Sequence, residues 1–422
     1  MLILLAGCKR SLMRPHSSHL SEPASRYMPN PYNSLENPKA RVLCLTQDLG
    51  RGGGAEQLLA GLLPELRNHG YQCELVALCD WPDDIGYLLE EQGVAVQRFH
   101  LSHRWHFLAG IRKLRVLLAT STYDLAWGHL FDGNLYATFV QWLAPNTKSV
   151  ITLHTEGYSE SPPRTIKGRM FVFLEKLLLS RTAAKVAVSA AVARDFEAFF
   201  GWRDIAVIHN GVVASEVPPP PDDARRMQIR AGYGVSPEDF MIVTPSRFIP
   251  KKGHAVLLDA LDILNREKSW LPKLVARGLV TPLLDRLRAQ ADELGLRDAV
   301  DFAPPVPHSQ LFPLIQSADA VVIPSLREPF GIAAAEAMLL RVPVVLTRVD
   351  GFLELVGESG GAVMVSPNDP RGLADAIWLL KSNPELRSRL AERGRARIAE
   401  NFEMSVCASK WARLFDRLIS PP

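Results

Sequence analysis

The sequence lacks the cysteine patterns that hold metals or disulfide frameworks. It has only five cysteines, an odd number without a Cys-x-x-Cys pair or a Cys/His cluster. They are Cys8, Cys44, Cys73, Cys79 and Cys407. This usage favours a reduced cytoplasmic setting. The sequence also lacks an uncharged apolar run approaching the roughly 18 residues that span a bilayer, so we expect a protein that is soluble or peripheral to a membrane.

A strong charge of either sign is also missing. The 48 basic and 45 acidic side chains leave a net charge of +3 and are spread along the chain, so we expect no nucleic-acid partner. What the chain has instead is length: 422 residues with 47% hydrophobic side chains are enough for two domains of ordinary size.

The N-terminus, MLILLAGCKR, contains a segment from Leu5 to Cys8 that is similar to the acylation box of bacterial lipoproteins. It lacks a basic n-region, and its apolar stretch of about seven residues is short for a secretory signal. We therefore interpret it as a chance resemblance or a misplaced start codon. The following residues are rich in Ser, Pro, Asn and His without apolar periodicity, so 1–40 is predicted to be a disordered extension.

From Arg41 onward short apolar runs alternate with longer amphipathic ones, which is typical of βαβ units around parallel sheets. The predicted strands are 41–46, 73–79, 94–99, 124–127, 149–153, 185–188 and 205–208, then 240–245, 272–276, 299–302, 319–323, 343–346 and 361–365. We expect an α/β fold of two doubly wound, Rossmann-like domains that face each other across a cleft.

The boundary between the domains is predicted at four consecutive prolines, Pro218 to Pro221. Prolines donate no backbone hydrogen bonds and favour an extended linker. We assign 41–216 to the first domain, 217–236 to the linker and 237–400 to the second domain. The final segment, 401–422, is predicted to be a helix that packs back toward the first domain.

Polar and glycine residues follow several predicted strands directly. In doubly wound sheets ligands bind outside the carboxyl ends of the strands, so these residues are candidates for a cleft site. They are Gly52, Gly53, Gly54, His154, Arg247, Lys252 and Glu328.

The glycine turn QDLGRGGGAEQLL follows the first strand and precedes a helical pattern, which suits an anion. A nicotinamide dinucleotide is one alternative. A Gly-x-Gly-x-x-Gly fingerprint that starts at Gly50 needs glycine at position 55, however, and the residue there is Ala55. The turn by itself leaves a nucleotide-sugar, or no ligand, open.

The strongest motif is PSLREPFGIAAAEAM, where a strand ends at Ser325, a loop carries Glu328 and a helix begins near Gly331. Alanines surround Glu336 on this helix, which we interpret as room for another group beside the backbone. A buried carboxylate is costly without hydrogen-bond donors, and the two hydroxyls of a ribose would supply them.

The spacing Glu328-x7-Glu336 closely resembles the EX7E signature of retaining glycosyltransferases of family 4, which have the GT-B fold. SRFIPKKG at 246–253, VIHNGV at 207–212 and GGAE at 53–56 resemble further motifs of that family. The resemblance covers roughly residues 41 to 415 and implies an acceptor domain followed by a donor domain.

This resemblance implies a role for each candidate residue. Glu336 would bind the ribose of a nucleotide-sugar donor, and Glu328 would contact the transferred sugar. The diphosphate would be bound by Arg247 and Lys252 with backbone N–H groups of Phe330, Gly331 and Ile332. His154 would lie beside the donor sugar and act with Glu328 in catalysis, while Gly52, Gly53 and Gly54 would border the diphosphate and the acceptor.

The expected activity is transfer of a sugar, with retention of configuration, to a saccharide or lipid-linked acceptor such as a cell-envelope precursor. No convincing Asp-x-Asp motif is present, since DWPDD at 80–84 and PDD at 221–223 have turn-like contexts, so neither a metal nor another cofactor is expected.

Two stretches depart from the family pattern, LVARGLVTPLL at 274–284 and FAPPVP at 302–307, and they leave the nucleotide base open. A relative of the same fold that only binds nucleotide-sugars, or that epimerises or phosphorolyses them, is the alternative.

Segment 162–181, PPRTIKGRMFVFLEKLLLSR, mixes basic and aromatic residues, as does HRWHF at 103–107. Both could lie on the anionic cytoplasmic face of the inner membrane and present the enzyme to a lipid-linked acceptor. An ordinary amphipathic helix with a charged outer face explains segment 162–181 equally well.

Overall fold

The computed structural model describes residues 35–50, 54–79, 84–102, 106–155 and 165–420. The strands are β1 (Ala40–Thr46), β2 (Tyr71–Cys79), β3 (Ala95–Leu101), β4 (Leu125–His129), β5 (Lys148–Leu153), β6 (Ala184–Ala187), β7 (Ile205–Val207), β8 (Met241–Pro245), β9 (Lys273–Arg277), β10 (Val300–Ala303), β11 (Ala320–Ile323), β12 (Val344–Thr347) and β13 (Val363–Val365). Every predicted strand is therefore present, with ends that shift by one or two residues.

The helices alternate with these strands. They are α1 (Gly54–Asn68), α2 (Asp84–Glu91), α3 (Phe107–Thr120), α4 (Leu130–Leu143), α5 (Ile166–Leu179), α6 (Ala190–Phe200), α7 (Asp223–Ala231), α8 (His254–Lys268), α9 (Leu283–Glu293), α10 (His308–Ser317), α11 (Ile332–Leu339), α12 (Asp350–Val356), α13 (Pro370–Ser382), α14 (Pro384–Asn401) and α15 (Met404–Ile419). No helix in the part of the chain that is described is long and apolar enough to cross a membrane.

The described strands form two parallel sheets, one in each half of the chain. The first has the order β3-β2-β1-β4-β5-β6-β7 and the second β10-β9-β8-β11-β12-β13. Helices cover both faces of each sheet: α1, α2 and α15 pack on one face of the first sheet and α3 and α4 on the other. In each sheet the order reverses beside the first strand of its half, β1 or β8, where ligand crevices form in doubly wound folds.

The predicted linker 217–236 is not extended along its whole length, which corrects that part of the prediction. It contains α7, whose N-cap Asp222 accepts a hydrogen bond from the backbone N–H of Arg225 at 2.7 Å. The buried guanidinium of Arg230 at the other end of α7 donates to Asp319 at 3.0 Å. The capped first turn stabilises α7, and the buried ion pair attaches the helix to the second sheet.

The last helix, α15, packs on the first sheet, where Trp411 lies 4.4 Å, centroid to centroid, from Trp127. The chain returns from the second domain to the first just before α15, where two segments pair through their backbones. Val212 donates to the carbonyl of Phe402 and accepts from the N–H of Met404, both at 2.9 Å. A Cβ at Gly211 would lie 2.8 Å from the Cα of Met404, so the close crossing requires glycine there.

Candidate active site

Lys252 and Glu328 form an ion pair beside the end of β11. The Lys252 Nζ lies 2.5 Å from Glu328 Oε2, and the hydroxyl of Ser325 donates to the same oxygen at 3.2 Å. The side chains of Lys252 and Glu328 are only 12% and 10% exposed. Lys252, which is predicted to bind a diphosphate, is thus ion-paired with Glu328, which is predicted to contact the transferred sugar.

This pair forms because the loop after β8 lies directly on the end of β11. Gly253 has φ of +70°, and a Cβ there would lie 1.9 Å from the carbonyl oxygen of Pro324. The N–H of Leu326 donates to the carbonyl of Lys251 at 2.8 Å. Glycine at 253 is therefore needed both for its backbone conformation and for the close approach of the two loops.

Arg247 lies at the end of β8 and is exposed. A Cβ on Gly278 would be 1.9 Å from the Ser246 carbonyl oxygen and 3.1 Å from the Arg247 Cα, so the close approach of these two segments requires glycine at 278. Burial raises the pKa of Glu56 in the first domain, and the nearby charge of Arg247 partly opposes that rise, so Arg247 lies close to the first domain. The positive charge of its guanidinium therefore acts on groups of both domains that line the cleft.

The N-terminus of α11 faces the cleft. Its N-cap is Gly331, with φ of +102°. The ring of Phe330 is buried in the second domain, 5.5 Å from the ring of Phe402. Phe330 can therefore offer a ligand its backbone but not its side chain, and its backbone role toward a diphosphate stays a prediction.

Glu336 lines a cavity of about 400 Å³ between the two domains. Burial, and then the charge of nearby Glu216, raises the pKa of Glu336 to about 8. His308 Nε2 lies 3.9 Å from its Oε1. Residues of both domains share the lining, among them Gln57, Leu58, Val306, Pro307, Phe312 and Ile332. The carboxyl group therefore lies at a mixed polar and apolar cavity between the domains.

The alanines around Glu336 have a different role from the one predicted. Ala334, Ala335 and Ala337 are fully buried in the core of the second domain, where α11 packs against α14. Small residues let two helices approach each other closely. They do not open the backbone of α11 to a ligand, and Glu336 meets the cavity from another side of the helix.

His154 follows β5 and pairs with a second histidine. Its Nε2 lies 3.0 Å from the Nδ1 of His129, which ends the neighbouring strand β4. Burial lowers the pKa of His154 to about 4, and burial followed by the charge of His154 lowers that of His129. Both rings are therefore neutral at physiological pH, and the N–H of one ring donates a hydrogen bond to the nitrogen of the other.

In the glycine turn, Gly52 and Gly53 lie outside the described residues. Gly54 begins α1, and a Cβ there would lie 2.9 Å from the Cδ1 of Ile332. The N-termini of α1 and α11 therefore meet across the cleft. Because helix N-termini carry partial positive charge, this is a favourable place for an anion.

Glu56, on the first turn of α1, is a residue whose importance the sequence did not reveal. It is 6% exposed, and its Oε2 has no hydrogen-bond partner among the described residues. Burial raises its pKa to about 7, and the nearby charge of Asp48 also raises it. The motif GGAE contains this glutamate, but only the fold shows that it is buried beside Asp48 and Arg247.

Glu216, His308 and His129 were also missed. Glu216 lies in a short 3-10 turn, and His308 is the first residue of α10. Neither has a recognisable motif, so only their joint presence in the cavity with Glu336 identifies them. His129 lies just after the predicted strand 124–127, which is the same signal that pointed to His154. No group of three or more His, Cys, Asp or Glu that could hold a metal ion occurs in the described ranges.

Families and proteins similar to this chain were found by sequence and by structure. Residues 226–397 match the family model described as Glycosyl transferases group 1, and residues 52–216 match the one described as Glycosyltransferase Family 4. The chain is 27% identical over 326 residues to a D-inositol 3-phosphate glycosyltransferase of Jonesia denitrificans, covering 74% of this chain and 76% of the relative. It is 30% identical over 301 residues to the protein of the same name from Xylanimonas cellulosilytica, covering 69% of this chain and 71% of the relative.

Among solved structures, Anabaena HepE in complex with UDP and glucose superimposes with a TM-score of 0.75 at 22% identity, covering 89% of this chain and 99% of that chain. Two parallel-sheet domains with a cleft between them thus define a GT-B fold. Within that class, the chain belongs to glycosyltransferase family 4.

Proposed function

We propose that the protein is a retaining glycosyltransferase that moves a sugar from a nucleotide-diphosphate-sugar to a hydroxyl of a saccharide or lipid-linked acceptor. The observation that carries this proposal is the convergence of the Lys252–Glu328 pair, the N-terminus of α11 and the cavity of Glu336 on one side of the cleft. Each supplies one part of what such a donor requires: sugar contacts, anion binding and ribose binding.

In this proposal the ribose hydroxyls donate hydrogen bonds to Glu336 when that carboxyl group is ionised. The apolar lining beside it, including Val306 and Phe312, is suited to a nucleotide base. Uridine is the first base to test, because the solved neighbour from Anabaena holds UDP. Glu328 would meet hydroxyls of the transferred sugar, and Lys252 would then exchange part of its contact with Glu328 for a phosphate oxygen.

The leaving diphosphate carries about two negative charges, which Arg247, Lys252 and the N–H groups at the start of α11 would neutralise. Charged hydrogen bonds of this kind contribute on the order of 1.5–3 kcal/mol each. This set of donors supports a reaction without a bound metal. Cytoplasmic nucleotide-sugars would supply the donor, and an envelope polysaccharide precursor is the acceptor class that we propose.

Retention follows if the acceptor attacks from the face that the diphosphate leaves. The bond from the anomeric carbon to the phosphate oxygen breaks, and the acceptor oxygen bonds to that carbon on the same side. The proton of the acceptor hydroxyl passes to the departing phosphate. The buried, neutral His154 would position the donor sugar without taking that proton, since its pKa is lowered to about 4.

The test is release of nucleotide diphosphate from UDP-, GDP- and ADP-sugars, with and without lipid extract. We expect Lys252→Ala to lower turnover of the accepted donor by at least about a hundredfold, because removing one directed donor from a transition-state charge typically costs that much. Lys268→Ala is the matched control, since this exposed lysine ends the helix that begins just after Lys252. Full activity of Lys252→Ala with a donor that the wild type uses would show that the site is assigned wrongly.

A further inference from the structure

Helix α5 carries a stripe of apolar residues on the side that faces solvent, in addition to Val172 and Leu179, which pack against the core. Five large hydrophobic side chains are 46–87% exposed: Ile166, Met170, Phe173, Leu174 and Leu177. Their spacing of i, i+4, i+7, i+8 and i+11 places them on one stripe of the helix. In a surface helix of a globular protein such a stripe normally faces the core, whereas α5 presents this one to solvent.

The opposite side of α5 contains the acidic residue. Glu175 is the only acid between Thr165 and Arg181 in the sequence, and it is 6% exposed. The charged side chains that are exposed on or just after α5 are basic, namely Arg169, Lys176 and Arg181. The outer surface is therefore apolar and cationic, which excludes the ordinary helix with an apolar inner and a charged outer face.

The neighbouring helix extends this surface. Helix α4 packs beside α5 and ends with Trp142 and Leu143, which are 45% and 37% exposed. Exposed apolar side chains gathered on neighbouring helices in this way mark an interaction site. Segment 103–105, which the sequence also suggested for this role, lies outside the described residues.

The charges indicate which partner fits. Protein interfaces are depleted of lysine at their cores, whereas helices that lie in the headgroup region of a bilayer combine an apolar stripe with lysine and arginine. Basic side chains beside such a stripe attract anionic lipids. A helix of 14 residues is about 21 Å long, so the whole stripe can lie flat in one membrane surface.

The position of α5 relates this surface to the cleft. The helix follows β5, whose carboxyl end leads to His154. In a parallel sheet the helix after a strand begins at the carboxyl edge and runs back along the sheet. The first turn of α5 is therefore near the edge that holds the candidate active site.

We propose that α5 is a membrane-binding helix that holds the first domain on a bilayer containing anionic lipids. The benefit of this membrane binding for catalysis rests on the proposed function, because a lipid-linked acceptor would lie in the same bilayer surface. The binding itself requires no catalysis.

Flotation of the full-length protein with vesicles tests this. We expect binding to vesicles of phosphatidylcholine mixed with phosphatidylglycerol at low salt, weaker binding to phosphatidylcholine alone, and loss of binding as salt rises. Phe173→Ser combined with Leu177→Ser should weaken the binding by about tenfold or more. Arg169→Gln combined with Lys176→Gln should weaken only the binding that depends on the anionic lipid.

The matched control is Leu353→Ser combined with Leu379→Ser, which removes two hydrophobic side chains of the second domain that are 43% and 44% exposed. An equal loss in this control, or no binding of the wild type to anionic vesicles, would overturn the proposal. Light scattering detects the remaining outcome, a dimer in which the α5 stripes of two copies of the chain pair with each other. Such a dimer would also overturn the membrane proposal.

Nucleotide release from the donor without lipid is measured in parallel. It should be unchanged in the α5 variants, which also shows that they are folded. A wild type that binds vesicles yet releases nucleotide from no donor would contradict the proposed function and leave the membrane surface in place. A wild type that releases nucleotide from a donor but does not bind vesicles would contradict the membrane proposal and leave the proposed function in place.

Discussion

At the scale of single residues, Glu336 has the most informative environment. An isolated glutamate is ionised at neutral pH, but burial and the nearby Glu216 raise the pKa of Glu336 to about 8. Burial at the cavity therefore favours a protonated carboxyl group. A ligand that donates hydrogen bonds favours the carboxylate instead, so ligand binding and proton release are coupled at this residue.

We therefore predict that nucleotide diphosphate binding at pH 7 releases part of a proton and tightens as the pH rises toward 8. Calorimetry in buffers of different ionisation enthalpy measures the proton, and Glu336→Gln should remove that component and weaken binding. Glu267→Gln, an exposed glutamate paired with Arg371, is the control. Proton release that persists in Glu336→Gln would assign the coupling to another group.

The same pKa shift has a consequence for stability. The folded state keeps a proton on Glu336 up to about pH 8, whereas the unfolded chain releases it near the ordinary value of 4.5. Folding is therefore favoured most below that ordinary value, and this contribution is lost as the pH rises through 8. Glu336→Gln should accordingly show a smaller fall in Tm between pH 5 and pH 9 than the wild type.

At the scale of elements, the N-termini of α1 and α11 meet across the cleft, and we expect this contact to set the geometry of the cleft. Gly54 and Ile332 touch there, and they belong to different domains. The same place is favourable for a diphosphate, since the positive ends of both helix dipoles point to it. A larger residue at position 54 would separate the helices.

We predict that Gly54→Val lowers turnover by about tenfold to a hundredfold, because a displacement near 1 Å at a reacting centre costs that much. Its Cβ would meet the Cδ1 of Ile332 at 2.9 Å, so Ile332→Ala in the same chain should restore most of the activity. Steady-state kinetics of both variants measures this. Failure of the second substitution to restore activity, with Tm unchanged, would show that the contact does not set the geometry.

At the scale of the whole molecule, Glu354 connects the two domains. It lies on α12 of the second domain and accepts hydrogen bonds from the N–H groups of Ala190 and Ala191 at 2.8 and 2.9 Å. Its Oε2 also lies 2.9 Å from His209 Nε2. Burial alone would raise the pKa of Glu354, but these hydrogen bonds outweigh it and keep the pKa below its ordinary value.

We predict that Glu354→Gln lowers stability at pH 7 by about 1–3 kcal/mol, because two N–H groups and the histidine lose a charged acceptor. For a carboxyl group with a lowered pKa this stability is lost as the pH falls through that pKa. The difference in Tm from wild type should therefore shrink in acid. Small-angle scattering should show a more open molecule at pH 7.

Asp350→Asn is the control, since Asp350 joins the same two helices through an exposed pair with Arg194. Exposed pairs contribute about 0–1 kcal/mol, so this variant should change Tm little. If the two variants behave alike, Glu354 does not connect the domains in the way described.

Much of the architecture could be predicted from sequence, because the strands of buried parallel sheets are short apolar runs between longer amphipathic ones. The candidate residues after those strands could also be predicted, since parallel strands bring their carboxyl ends to one edge. The helix α7 could not, because four prolines indicate extension while its stability depends on Arg230 meeting Asp319, 89 residues away. The alanines of α11 were misinterpreted for a similar reason, since small residues suit a ligand and a packed helix equally.

The sequence by itself thus determined two parallel-sheet domains, the position of the cleft and the glutamate spacing, since each depends on local patterns. Only the tertiary structure decided that Lys252 meets Glu328, that Glu216 and His308 share a cavity with Glu336, and that α5 turns its apolar stripe to solvent. The physical reason is that protonation, ion pairing and exposure depend on which distant side chains become neighbours, and burial fixes those neighbours only when the whole chain has folded.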